Sequence, residues 1–145
     1  MKFKLEQVLT FHQKQEERLS KELADIKLKL ENQRAHLQSL NDERINLLNS
    51  IRDHQEKSEG LWDVIACFHY LSVLDKKIEK AKEGINILKI QYEVKQKQLI
   101  ETAKERKILE KLKERWWRQE QKVLLKKEQV LLDEFAINGY VRREG

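Results

Sequence analysis

The chain has 145 residues, the length of one domain, but 38% of them are charged, proline is absent and glycine occurs four times. This composition is typical of long helices, and no run alternates apolar and polar residues as half-buried strands do, which excludes strand-rich folds. The net charge of +5 is uneven, since residues 1–72 hold 11 basic and 12 acidic side chains whereas residues 73–145 hold 19 and 13. The second half therefore has the charge to face an acidic partner, an anionic membrane or a nucleic acid.

The first predicted element is a helix over about residues 3–56. Heptads can be laid from Leu5 to His54 without interruption, and ten of their 15 seam positions are apolar. This pattern predicts a coiled-coil helix. Polar residues such as His12 and Glu16 break the seam, and polar seam positions often set the register at a cost in stability.

A polar run from residue 53 to Gly60 interrupts the heptads and predicts a turn over about residues 57–61. We expect Gly60 to end the first helix with a positive φ, which costs little for glycine. Beyond the turn, Trp62 is expected to pack over the closed end of the hairpin against Leu48 and Ile51. At least one of Phe68 and Tyr70 should remain exposed as a candidate contact.

The second predicted element is a helix over about residues 62–138, with heptads through Ile78, Ile85, Tyr92 and Leu99. Asn138-Gly139 is expected to end it and to leave residues 139–145 as a tail. The predicted fold is all-α, a single antiparallel coiled-coil hairpin of two long helices whose C-terminal helix is longer. A turn near residue 59 places Leu5 near Lys113, so the second helix overhangs the first by roughly 20 residues, or about 30 Å.

The overhang contains an apolar block that repeats every seven residues. Trp116-Trp117 is followed by Val123-Leu124-Leu125 and by Val130-Leu131-Leu132. A two-stranded seam needs two apolar positions per heptad, so three adjacent ones make a stripe too wide for one partner helix. Burial by self-association and burial by a different protein both remain open.

Several classes of function are not expected. Cys67 is the only cysteine, which excludes an internal disulfide and favours a reducing compartment. The four histidines are scattered, and no phosphate loop or catalytic constellation is present, so we expect no metal, no cofactor and no enzyme. Acidic residues interrupt the basic half, so we expect no nucleic-acid binding. Without an apolar span or signal segment, the expected location is cytoplasmic.

Three segments carry a resemblance to a known family. They are the stretch after the turn, a Leu-Glu-Lys-Leu-basic run, and a Glu-Gln-x-x-Leu-Asp-Glu-Phe-Ala ending, found at residues 68–78, 109–115 and 128–136. Together with the size and the layout of two long helices, these segments resemble the FliJ family of flagellar export proteins over nearly the whole chain.

The resemblance implies a stalk of the flagellar type III export machine whose terminal end enters the ring of the export ATPase hexamer. Residues nearer the turn would bind the membrane export gate protein, and export chaperones would be further partners. The protein would be peripherally associated with the inner face of the cell membrane at the flagellar base. The implied ATPase contacts are Trp116, Trp117, Val123, Leu124, Val130, Leu131 and Phe135. The implied gate contacts are Leu40, Leu47, Tyr70 and Leu74.

Three alternatives remain open at the level of the sequence. The first is the equivalent stalk of a virulence-type secretion system. The second is a structural coiled-coil dimer in which two chains bury the wide stripe. The third is a binder of nucleic acid or of an anionic membrane, whose affinity would fall steeply with salt.

Overall fold

The chain forms two long α-helices. A computed structural model describes the backbone of residues 3–57 and 60–144 and the side chains as far as residue 142. Helix α1 spans Glu6–Glu56 and helix α2 spans Leu61–Glu144. No strand occurs among these residues. The all-α prediction is confirmed, as is the greater length of the second helix, with 84 residues against 51.

The connection between the helices differs from the expectation at Gly60. Residues 58 and 59 of the predicted turn lie outside the described part of the chain. The Gly60 carbonyl accepts hydrogen bonds from the backbone N–H groups of Asp63 and Val64, at 3.1 and 3.5 Å. Its φ is not in the left-handed region. The prediction of a positive φ is therefore wrong, because Gly60 occupies the N-cap of α2, a position that glycine also tolerates.

Helix α2 does not end at Asn138. It continues through Gly139 to Glu144, over residues for which the sequence predicted a tail. Within a helix, glycine costs only about 1 kcal/mol relative to alanine, and no proline follows that would force an end. One glycine is thus too weak a signal to stop a helix that has already propagated for many turns.

Between Glu17 and Leu99, which form one compact unit, α1 and α2 pack antiparallel. Lys95 Nζ lies 2.7 Å from the carboxylate of Glu22, and Arg44 Nε lies 2.7 Å from that of Asp75, so residue numbers rise along α2 as they fall along α1. Between the helices lie two apolar clusters of buried side chains, consisting of Leu40, Leu74, Ile78 and Ala81, and of Ile26, Leu30 and Ile85.

The other compact unit comprises Met1–Glu16 and Ile100–Gly145, and it is also antiparallel. Lys113 Nζ lies 2.8 Å from the carboxylate of Glu6, which agrees with the predicted proximity of Leu5 and Lys113. Leu9 and Leu109 are buried here. The pairing in each unit confirms the predicted antiparallel arrangement of two helices.

None of the described helical segments combines the length and the apolar character that crossing a membrane requires.

Candidate functional site

The candidate site is the C-terminal part of α2, which continues past the N-terminal end of α1. We define residues 121–142 as the distal segment, and all of its side chains are exposed. Its large apolar side chains range from 40% exposed at Val123 to 73% at Phe135. Soluble proteins rarely expose so many large apolar groups in one continuous run without a partner.

The apolar side chains of the distal segment do not share a single narrow face. Successive residues of a helix point about 100° apart, so Val123, Leu124 and Leu125 cover about 200° of its circumference. The block at residues 130–132 repeats the same directions, with a drift of about 20°. A single packed helix can cover only part of such a surface.

The base of the distal segment is formed by two tryptophans. Trp116 is half-buried and contacts Phe3, with ring centroids 5.8 Å apart and planes inclined at 45°. Trp117 is 57% exposed and lines two shallow grooves beside Lys113. The paired region therefore ends at two adjacent tryptophans, of which Trp116 contacts Phe3 and Trp117 is exposed.

A polar layer lies between α1 and α2, about ten residues before the two tryptophans along α2. His12 Nδ1 lies 2.9 Å from the hydroxyl of Thr102, and His12 Nε2 lies 2.9 Å from the carboxylate of Glu105. Arg106 donates to Glu16 on α1 and, at 2.9 Å, to Glu110 on its own helix. Hydrogen bonds to Glu16 and then Glu110 raise the pKa of Arg106, which keeps it charged.

This polar layer sets the register of the pair. The Thr102 hydroxyl and the partners of Arg106 meet only in one alignment of the two helices, because a slip would leave polar groups unpaired between apolar neighbours. The register in turn determines the residue of α2 beyond which α1 no longer buries its side chains. The polar seam positions His12 and Glu16 were visible in the sequence, whereas their partners on α2 were not.

A second exposed apolar surface lies at the start of α2. Leu61, Ile65 and Phe68 are exposed and follow one another at helical spacing, and Trp62 beside them is 81% exposed. The prediction that Trp62 packs over the end of the hairpin is therefore wrong. Phe68 and Tyr70 are both exposed, which agrees with the expectation that at least one of them is.

A comparison with protein-family models decides the family. The model described as Flagellar FliJ protein matches residues 1–145, the whole chain. The chain belongs to the FliJ family. Comparisons with curated proteins and with solved structures find no match. Membership of the FliJ family gives this chain a role in flagellar protein export.

The residues implied as ATPase contacts of this FliJ-family chain lie in the exposed part of α2. Trp117, Val123, Leu124, Val130, Leu131 and Phe135 are all exposed, and only Trp116 is half-buried. The same surface includes large apolar residues that the sequence did not single out as contacts, and their signal was the seven-residue period and its continuation past Gly139. They are Leu125, Leu132, Ile137, Tyr140 and Val141.

The residues implied as gate contacts do not form one surface. Leu74 is fully buried and Leu40 is 6% exposed, both in the cluster between the helices, and Leu47 packs against that cluster. Tyr70 alone is exposed, and its hydroxyl donates a hydrogen bond to Glu43 across the pair. This bond raises the pKa of the Tyr70 phenol. While the helices are paired, Leu40 and Leu74 have a packing role.

No group of three or more His, Cys, Asp or Glu side chains able to hold a metal ion occurs in the described residues.

Proposed function

We propose that this chain is a non-enzymatic coiled-coil stalk whose distal segment enters the ring of the flagellar export ATPase. The observation that carries this proposal is a 22-residue stretch of continuous helix in which every side chain is exposed and apolar groups recur on several sides. The proposal rests on the role in flagellar export that family membership supplies.

A ring suits this surface for a geometric reason. A flat partner or a single helix buries one side of a helix, which would leave part of each apolar block in water. A ring surrounds the helix and can bury residues that point about 200° apart at the same level. Full burial of one exposed Leu, Val or Phe side chain contributes about 1.5–3 kcal/mol, so a few such residues suffice for stable binding.

The charges between the apolar blocks favour the same mode of binding. Lys122, Lys126 and Lys127 lie between or beside the blocks, so the lining of the ring should be acidic at their level. Such charges steer association and suppress wrong partners more than they add affinity. The ATPase contacts in this proposal are Trp116, Trp117, Val123, Leu124, Val130, Leu131 and Phe135.

The proposed link to the membrane export gate uses the opposite end of α2. Tyr70 is the exposed member of the set implied by the family, and we include the neighbouring Phe68. Leu40, Leu47 and Leu74 would act by holding α1 and α2 together so that Tyr70 is presented. The gate would keep the chain at the inner face of the cell membrane, and export chaperones are further proposed partners.

The test measures ATPase hydrolysis and pull-down with the cognate flagellar export ATPase. The variant Leu124→Ser/Leu131→Ser should lose stimulation and binding, because it removes two exposed apolar contacts without touching the core. The control Leu28→Ser changes a leucine of α1 that is similarly exposed, at 58%, and should behave as the unsubstituted chain. Stimulation of the ATPase by the double variant at the unsubstituted level would contradict the proposal.

A further inference from the structure

Helix α2 carries a regular basic repeat within the unit that contains its C-terminal part. Seven lysine and arginine residues follow one another at intervals of three, four, four, three, four and four residues, which is an eleven-residue repeat. Such a repeat advances about 3.7 residues per turn, close to the helical 3.6, so its members stay on one side of a straight helix. We define these residues as the basic ridge: Lys104, Lys107, Lys111, Arg115, Arg118, Lys122 and Lys126.

The basic ridge contains no acidic side chain on its own side of the helix. Successive residues point about 100° apart, so the seven members lie within an arc of about 100°. Glu105, Glu110 and Glu120 of the same stretch point well outside this arc. Glu114 borders the arc, and its carboxylate lies 2.6 Å from the guanidinium of Arg118. The ridge is therefore a row of like charge on one side of α2, although acidic residues alternate with it along the sequence.

The basic ridge lies opposite the side of α2 that packs on α1. The contacts with α1 in this unit are made by Thr102, Arg106 and Lys113. These residues point about 160–180° away from Lys122, at the centre of the ridge directions. All seven ridge side chains are exposed. The ridge is thus accessible while the two helices are paired.

We propose that the basic ridge binds the surface of an anionic lipid bilayer, with this part of α2 lying along the surface. Clusters of about four to eight lysine and arginine residues beside or on a helix bind anionic headgroups. The ridge spans 22 residue steps, or roughly 33 Å. A straight row of charges meets a planar surface along its whole length, so all seven side chains can reach headgroups at once.

Two features favour a bilayer over a nucleic acid. The phosphates of a duplex wind around its axis, so a straight helix meets them over only a short part of its length. In addition, Ile100, Ile108 and Leu125 point in the same directions as the ridge and are 49%, 59% and 62% exposed. Apolar side chains on a helix that lies in the membrane interface can insert between headgroups and add to the electrostatic attraction. Against a row of phosphates they would have no apolar surface to contact.

The inference goes beyond the proposed function, in which the gate alone keeps the chain at the membrane. Lys122 and Lys126 belong both to the basic ridge and to the distal segment. A chain whose whole ridge lies on a bilayer therefore cannot have its distal segment inside the ATPase ring at the same time. Lipid binding would hold the chain at the membrane before the ring takes up the distal segment.

The test is co-sedimentation of the full chain with lipid vesicles, without any protein partner. The chain should bind vesicles of phosphatidylcholine with about one-third phosphatidylglycerol at about 0.1 M salt, and should not bind phosphatidylcholine alone. Binding should be lost at about 1 M salt, where the charges are screened. Lys104→Gln/Lys111→Gln/Arg115→Gln should weaken binding about 100-fold, since each basic residue near an anionic surface contributes about fivefold.

The control Lys14→Gln/Lys21→Gln/Arg34→Gln removes the same amount of charge from exposed positions of α1. It should bind the anionic vesicles as the unsubstituted chain does, because these residues are not on the ridge. Circular dichroism of both triple variants should show unchanged helix content, since all six side chains are exposed.

Several results would overturn the proposal. They are equal binding to neutral and anionic vesicles, equal losses in the two triple variants, and a loss in Leu124→Ser/Leu131→Ser while the ridge variant still binds. Tighter binding of a DNA duplex of about 20 base pairs than of the anionic vesicles at the same salt would also overturn it. The vesicle assay contains no ATPase, so its failure leaves the proposed function intact, and a failed ATPase pull-down leaves this inference intact.

Discussion

Leucines that lie in similar stretches of sequence have very different roles in this chain. Leu19 and Leu74 are fully buried between α1 and α2, whereas Leu28 and Leu124 are more than half exposed. Burial removes apolar surface from water and creates close packing, so a buried leucine contributes to stability. An exposed leucine contributes little to the stability of the single chain but is available to a partner.

Truncation at a buried and an exposed leucine should therefore have different effects. Leu19→Ala should lower the free energy of unfolding by about 2–5 kcal/mol, because it removes a side chain that is fully buried and leaves a cavity. Leu28→Ala should change it by less than about 0.5 kcal/mol. Urea denaturation followed by circular dichroism measures both. Equal losses would show that α1 and α2 do not pack as described.

The ion pair between Glu22 and Lys95 predicts a dependence of stability on pH. A hydrogen bond from Lys95 is the main cause that lowers the Glu22 pKa below its usual 4.5. A lowered folded pKa gives stability that is present above the unfolded pKa and lost as the pH falls through the folded pKa. The stability difference between the unsubstituted chain and Glu22→Gln should thus be largest above pH 4.5 and shrink on acidification below it.

Thermal unfolding of the two chains between neutral and strongly acidic pH provides the measurement. Glu17→Gln, which removes an exposed carboxylate from the same helix, is the matched control. A gap between the Glu22→Gln variant and the unsubstituted chain that grows on acidification would contradict the role given to Lys95.

At the scale of the elements, two glycines occupy different positions in helix α2: one caps its N-terminus and the other lies in its interior. Gly60 is the N-cap, with its carbonyl bonded to the N–H groups of Asp63 and Val64. Gly84 lies inside the helix, and a Cβ added there would meet no atom within 4 Å. A helix N-cap favours glycine over alanine, whereas a helix interior favours alanine over glycine.

Alanine substitution should therefore change stability in opposite directions at the two glycines. Gly84→Ala should raise the free energy of unfolding by about 0.5–1 kcal/mol, since alanine loses less conformational freedom in the helix. Gly60→Ala should lower it by about 0.5–1 kcal/mol through the weaker cap. Chemical denaturation of the two variants measures the difference, and a stabilising Gly60→Ala would argue against the cap.

At the scale of the whole molecule, the residues that hold the structure together are separated along the chain from those proposed to bind partners. The buried apolar side chains among the described residues extend from Leu9 to Leu109. Beyond the half-buried Glu120, every side chain described is exposed. The distal segment can therefore interact with a partner without loss of the chain's own core.

Removal of the distal segment should leave the packed helices intact. A chain that ends at Glu120 should lose helix content in proportion to the residues removed, while its unfolding midpoint at low protein concentration should change little. The reason is that none of the removed side chains that the structure describes is itself buried. A large fall in the midpoint, measured by circular dichroism in a thermal scan, would show that the distal segment stabilises the remainder.

The features that could be predicted from the sequence are those that depend on local periodicity. The heptads around Leu19 and Ile78 predicted both helices, and the absence of runs that alternate apolar and polar residues argued against strands. The role of Gly60, the passage of α2 through Gly139 and the exposure of Trp62 were not predicted. Glycine is compatible with a cap, a helix end and a helix interior, and the choice among them depends on hydrogen bonds to other residues.

The sequence predicted the exposed apolar surface near the C-terminal end of α2, but it did not predict which residues near the turn are exposed. The wide apolar stripe from Trp116 to Phe135 was evident from its seven-residue period, and its side chains are indeed exposed apart from the half-buried Trp116. The set of proposed gate contacts, in contrast, includes Leu40 and Leu74, which are buried. Spacing places a leucine on a helix face, but only the partner helix determines whether that face is covered.

The sequence by itself thus determined two long helices, their break near residue 60, and an apolar stripe too wide for one partner. It also contained the motifs that resemble the FliJ family. Only the tertiary structure decided where α1 stops covering α2, because that limit depends on contacts between residues about 90 positions apart, such as His12 with Thr102. Helical periodicity is a local property of the chain, whereas burial is a property of the pair of helices.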